Sequence, residues 1–97
     1  MSSINDYSNP SIVFKKAKQY LGPNTIIKLS DKSSKKYMVL NPNNNKWVYF
    51  GQMGYQDYTY TNNDQKRAAY LKRSANIKGN WKDDKYSPNN FSRNILW

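Results

Sequence analysis

The stretch Lys46-Trp-Val-Tyr-Phe-Gly-Gln-Met-Gly-Tyr-Gln-Asp-Tyr-Thr-Tyr60 constrains the fold of this chain more than any other. It holds one of the three Trp, four of the nine Tyr, one of the three Phe and two of the four Gly. Only 37% of the residues are apolar, so a core here must be built largely from aromatic rings, each of which buries about 150–250 Å². Two readings of the stretch compete. It is either a core strand that runs into a tight aromatic turn, or an aromatic surface lying beside a basic patch.

The flanking residues favour a strand. Thr25–Leu29 is β-branched and apolar with one Lys, Lys36–Leu40 alternates, and Asn41-Pro-Asn-Asn-Asn45 is turn chemistry that joins it to Lys46–Phe50 as an antiparallel hairpin. Alternation sets Tyr37 and Val39 on one face of their strand and Met38 and Leu40 on the other. Likewise Trp47 and Tyr49 share one face and Val48 and Phe50 the other, so both faces of the hairpin are apolar. Gly51 and Gly54 are expected to break the strand. The turn that follows, with Tyr55, Tyr58 and Tyr60 around Asp57, reads as a packed corner whose Tyr hydroxyls bond backbone groups and in which Asp57 caps or accepts from a neighbouring Tyr or Arg. The alternative is a stacking platform.

Helical signals bracket the sheet. Asn9 is a helix N-cap with Pro10 at the first position, Val13, Ala17, Tyr20 and Leu21 follow at helical spacing, and Gly22-Pro23 stops the run. Residues 1–9 are polar, and a frayed lead-in is expected. Thr61-Asn-Asn-Asp64 resembles a capping box opening a basic helix to about Ala75, with Ala68, Leu71 and Ala75 as its inner line and Tyr70 alongside. Trp81 to Tyr86 is polar with an aromatic at each end, and Ser87-Pro88 opens a short last helix carrying Phe91, Ile95 and Leu96. The closing Ile95-Leu96-Trp97 is tied into the core or inserts into a partner. The fold class is therefore α+β: an N-terminal helix, a three-stranded antiparallel sheet, a basic helix and a short C-terminal helix, in one domain over residues 1–97.

Charge bounds the function. Sixteen Lys and Arg face six acids, all Asp, for a net charge of +10, which favours polyanionic partners. Lys, Asn, Ile and Tyr share A/T-rich codons, so Lys abundance alone is weak, but the complete absence of Glu marks the charge as selected. With no Cys and no His, disulfides, zinc sites, thiol nucleophiles and imidazole acid–base chemistry are excluded. No apolar run approaches the roughly 20 residues of a membrane span, and no secretory signal is expected. Metal-assisted hydrolysis needs clustered carboxylates. Asp83-Asp84 is the only adjacent pair, with Asp57 and Asp64 next, and it reads as a solvated turn beside Lys82 and Lys85. Neither an enzyme, a bound metal, a cofactor nor a small-molecule substrate is expected.

Tyr49-Phe50-Gly51, Gly54-Tyr55, Asp57-Tyr58-Thr59, Asp64, Arg67, Tyr70-Leu71, Arg73, Asn80-Trp81, Phe91-Ser92-Arg93 and Leu96-Trp97 form a pattern. It resembles a family of small basic proteins of largely unknown function encoded by giant and other large nucleocytoplasmic DNA viruses. The resemblance covers roughly residues 36–97. It implies a viral protein packaged with its genome, and the A/T-rich codon usage suits mimivirus-like viruses. The chain departs from the pattern at Ser74, where a His commonly follows the second helix Arg. The resemblance carries no catalytic residue over.

The expectation is a non-enzymatic DNA-binding protein that coats or compacts a viral genome. It would prefer duplex, read little sequence, self-associate on DNA, and reside in the virion core or the host cytoplasm's replication compartment. Phosphate contacts are expected from Lys66, Arg67, Lys72, Arg73, Lys82, Lys85 and Arg93. Lys15, Lys16, Lys18, Lys35 and Lys36 would form a second surface that could bridge duplexes, and Trp47 or Tyr55 would assist by stacking. The alternative is a structural module of the virion core or replication compartment whose charge serves acidic protein partners.

Overall fold

A computed structural model describes residues 4–76 and 84–97. Along the chain come a 3-10 turn at Ile4–Asp6, helix α1 (Pro10–Leu21), strands β1 (Ile27–Leu29), β2 (Lys35–Asn41) and β3 (Lys46–Gln52), the single-turn helix α2 (Tyr58–Thr61), helix α3 (Asp64–Ser74), the short α4 (Pro88–Phe91) and a π-helical turn at Ser92–Leu96. The expected α+β architecture is present, with an antiparallel sheet ordered β1-β2-β3.

Local chemistry explains the first half. The Asn9 side chain accepts from the Ile12 amide, Pro10 sits in the first turn, and the Gly22 amide closes α1 on the Lys18 carbonyl. In the hairpin loop, Asn41 accepts from the Asn43 amide and Asn44 from the Lys46 amide, both at 3.0 Å, while Asn45 takes φ +60°. These short side-chain bonds make an Asn-rich loop a defined turn. Register then pairs Tyr37 with Phe50 and Val39 with Val48 on one face.

That face is the core. Val13 and Ala17 of α1, Tyr37, Val39 and Phe50 of the sheet, and Phe91, Ile95 and Leu96 of the C-terminal segment are all fully or almost fully buried. Successive ring contacts run Phe14–Tyr37 (6.1 Å), Tyr37–Phe50 (5.7 Å), Phe50–Phe91 (5.2 Å) and Phe91–Tyr86 (5.7 Å), within the range in which aromatic pairs attract. One line of rings thus joins α1 to the sheet and the sheet to α4, and Ile95-Leu96 is tied into the core. On the opposite face, Met38, Leu40, Trp47 and Tyr49 are half-buried. The Lys28 and Lys32 ammonium groups lie 5.5 and 4.1 Å from the Trp47 and Tyr49 ring centres.

Four local expectations are corrected by tertiary contacts. Residues 4–8 are fastened rather than frayed: Ile4 packs on the core and Ser8 is buried. Strand β3 does not end at Gly51 but continues through it to Gln52. Gly51 has φ +78°, and a Cβ there would lie 2.9 Å from Leu96 Cδ1 and 3.2 Å from Lys36 Cβ. The glycine therefore marks a close approach of the C-terminal segment. The basic helix is capped by Asn63, which accepts from the Lys66 amide at 3.1 Å. Thr61 accepts from the Asn63 amide instead, and Asp64 from the Tyr58 hydroxyl. Finally, α3 is rotated from its expected phase. Ser74 is buried, Leu71 and Tyr70 are half-buried, and Ala68 and Ala75 are exposed.

The Gly51 contact sets a test. Gly51→Ala places a methyl in a left-handed backbone conformation against Leu96, and a stability loss of about 1–3 kcal/mol is expected. Urea denaturation followed by circular dichroism measures it, and an unchanged midpoint would contradict the close approach.

Candidate functional site

The turn after β3 is organised by one buried ion pair. Lys36 Nζ lies 3.2 Å from Asp57 Oδ2, with the two side chains 3% and 1% exposed. The same ammonium donates to the Tyr55 carbonyl. Asp57 Oδ1 accepts from the Thr59 amide at 3.0 Å, capping α2, and from the Thr59 hydroxyl. Since the one Thr59 hydroxyl proton goes to Asp57, the Ser8 hydroxyl is the donor across its 3.1 Å contact with Thr59 Oγ1. Ser8 in turn accepts from Tyr37 OH at 2.7 Å. A buried chain therefore runs Tyr37–Ser8–Thr59–Asp57–Lys36, joining the core sheet, the entry to α1 and the entry to α2. The Asp57 amide also donates to the Tyr7 carbonyl at 2.9 Å.

The electrostatic cost falls on Lys36. Burial pushes its ammonium below the ordinary lysine value, and Asp57 partly restores it through charge and hydrogen bond. Burial likewise pushes the Tyr37 phenol well above its ordinary value, with the Ser8 hydrogen bond opposing. Lys36, expected on a phosphate-contacting surface, is instead a buried structural cation. Strand alternation would set it outward with Met38, and its Asp57 partner lies 21 residues away.

Above this pair opens a cleft of about 840 Å³ between the β2–β3 end, the turn at residues 52–56, α3 and the C-terminal segment. Its floor includes buried Phe50 and Leu96. Its walls carry Lys35 from β2 and Lys66, Tyr70 and Arg73 from α3, and no aspartate side chain lines it among the described residues. Lys66, Tyr70 and Arg73 fall at helical spacing i, i+4, i+7, so one stripe of α3 faces the cleft. The adjacent stripe, Arg67, Leu71 and Ser74, faces the C-terminal segment. Arg67 Nε donates to the Trp97 main-chain oxygen at 2.6 Å, and the Tyr70 and Trp97 rings stack at 4.6 Å. Tyr55 stands at the rim, 66% exposed.

The expected phosphate contacts therefore divide. Lys66 and Arg73 are exposed and line the cleft with half-buried Lys35, and Lys72, Lys15 and Lys18 are exposed. Lys85 is exposed, its ammonium 5.0 Å from the Tyr20 ring centre. Arg67 is exposed, with its guanidinium 5.6 Å from the Tyr58 ring centre and its Nε on Trp97. Lys16 is half-buried, and burial, followed by the Arg67 charge and opposed by Asp57, pushes its ammonium down. Arg93 is half-buried and donates to the Leu71 carbonyl at 2.7 Å and to Ser74 Oγ at 2.5 Å. It pins the end of α3 to the C-terminal turn, with Ser74 as its acceptor. Lys82, Trp81 and Asp83 lie outside the described residues. Of the two stacking candidates, Tyr55 stands at the cleft rim, while Trp47 lies on the outer sheet face under Lys28.

The Lys36–Asp57 pair and the Tyr70–Trp97 stack were not read from the sequence. Only the capping role of Asp57 had a local signal, its place two residues before Thr59. Among the described residues, no group of three carboxylates that could hold a metal ion is present, and no helix is long and apolar enough to cross a membrane. No curated protein and no solved structure matches the chain. Residues 25–74, from β1 to the end of α3, match a family of unknown function, DUF5754. The match spans more than half of the 97 residues, and the chain belongs to that family.

Proposed function

We propose that this protein is a non-enzymatic, largely sequence-independent DNA-binding protein that coats or compacts a genome. The observation that carries the reading is the imbalance of paired and unpaired charge. Among the described residues the ion pair is Lys36–Asp57, deep in the fold. Asp31 and Asp64 accept instead from the Tyr49 and Tyr58 hydroxyls. The exposed ammonium and guanidinium groups of Lys15, Lys18, Lys66, Lys72 and Arg73 are left without a carboxylate partner among the described residues.

Such cations neutralise phosphates and release condensed counterions, a contribution indifferent to base sequence. Lysine suffices, because a point charge needs no bidentate geometry. The resemblance to small basic proteins of large DNA viruses supports a viral genome as the polymer and the virion core or the replication compartment as the place.

Fluorescence anisotropy with a labelled duplex of mixed sequence tests the reading. A log–log plot of affinity against salt is expected to fall with a slope of about −0.9 per phosphate contacted, with little difference between sequences. A flat salt response would overturn it in favour of a protein-interaction module.

A further inference from the structure

We propose that the cleft holds one unpaired nucleotide of a nucleic-acid strand, its phosphate between Lys66 and Arg73 and its base against Tyr55. The inference rests on the nucleic-acid reading above and assigns it a second, concave site distinct from the exposed cations of α1. At about 840 Å³ the cleft is within the about 300–1,000 Å³ typical of small-ligand sites. Its charge is one-sided. The floor cation, Lys36, is already neutralised by Asp57, whereas wall residues Lys66 and Arg73 have no carboxylate partner among the described residues. An anionic group is therefore favoured at the α3 wall, not at the floor. Arg73 is the better phosphate ligand of the two, because its planar fork can take two oxygens, and its guanidinium lies 5.9 Å from the Tyr70 ring centre.

The rest of the lining suits a base. Tyr55 is the most exposed large hydrophobic residue described, and its backbone carbonyl is held by Lys36. The buried pair therefore anchors the backbone that carries this ring before any ligand arrives, which lowers the backbone part of the ordering cost of binding. Stacking on a tyrosine tolerates every base, in keeping with a sequence-independent binder. Gln52 also lines the cleft, and its amide can donate to or accept from any base edge, whereas the Gln56 amide already donates to the Asp6 carbonyl. A base within a duplex has both faces covered, so the site selects an unpaired nucleotide, as at a strand end, gap or loop.

The experiment compares a 5′-phosphorylated thymidine tetramer, thymidine monophosphate and a blunt duplex on wild type, Tyr55→Ala, Lys66→Ala and the double variant Lys15→Ala/Lys18→Ala, each checked for folding by circular dichroism. Saturable one-to-one binding of the tetramer is expected. Tyr55→Ala should lower the ratio of tetramer to duplex affinity about ten-fold, and Lys66→Ala should weaken the tetramer. The α1 double variant should weaken the duplex more than the tetramer. An unchanged ratio in Tyr55→Ala, or the absence of saturable tetramer binding while the duplex still binds, would overturn the cleft assignment and leave the coating function standing. Tetramer binding without duplex binding would support the cleft and overturn the coating function. Monophosphate binding as tight as the tetramer would overturn the strand as the source of the nucleotide.

Discussion

Asp57→Ala is expected to cost about 3–5 kcal/mol of folding stability, because it leaves the buried Lys36 ammonium uncompensated. Against a total of about 5–15 kcal/mol for a domain, that is enough to leave much of the protein unfolded at moderate urea. The loss is compounded locally. Without the carboxylate, α2 loses its N-cap, and the Thr59 hydroxyl loses the acceptor that orders Ser8 and Tyr37. Urea denaturation of the variant measures the effect, and a loss below about 1 kcal/mol would show that the pair contributes little. The pH response has a definite sign. The folded-state value of Lys36 lies below the ordinary 10.5, so between that folded value and 10.5 the unfolded chain binds more protons and stability rises with pH. Removing Asp57 removes both influences that raise Lys36, so the window widens downward. Asp57→Ala should therefore recover more of its lost stability on moving from neutral to alkaline pH than wild type gains.

Lys66→Ala, Lys72→Ala and Arg73→Ala combined are expected to reduce the salt slope of duplex binding by about 0.9 for each of the phosphate contacts removed. At low salt the loss of affinity should be larger than at high salt, since fewer counterions are released. The side chains are exposed and without carboxylate partners among the described residues, so their removal should leave the denaturation midpoint within about 0.5 kcal/mol per site. Arg93→Ala provides the contrast. Its guanidinium is bonded to the Leu71 carbonyl and Ser74 Oγ, so it should lower stability while changing the slope less than the triple variant does. A triple variant with the wild-type slope would place the contacts elsewhere and overturn the α3 interface.

Much of the architecture was legible because its signals are short-range. The N-cap at Asn9, the stop at Gly22, the Asn-rich hairpin loop and the alternation of Tyr37, Val39, Val48 and Phe50 each depend on residues within a few positions. The candidate site was less so. Lys66 and Arg73 were named from charge alone, and sequence offered no means of separating them from Lys36 or Arg93, which are chemically alike and differently placed. The phase of α3 failed for a related reason. Ala68 and Ala75 are good helix formers but offer little surface, whereas Ser74 turns inward because Arg93, 19 residues on, bonds it.

By itself, then, the sequence of this protein determined the order of its main elements and its sheet with two apolar faces, together with a net charge of +10. The tertiary structure alone decided which face of the sheet carries the core and how Lys46–Tyr60 is fastened. It runs β3 through Gly51 beneath Leu96, then fastens the following turn by Lys36 and Asp57, leaving Tyr55 at the mouth of a basic cleft. The physical reason is range. Caps and alternation are set by neighbours in the chain, whereas the burial of one lysine and the exposure of another are set by which distant carboxylate, carbonyl or ring the fold brings within a few ångströms.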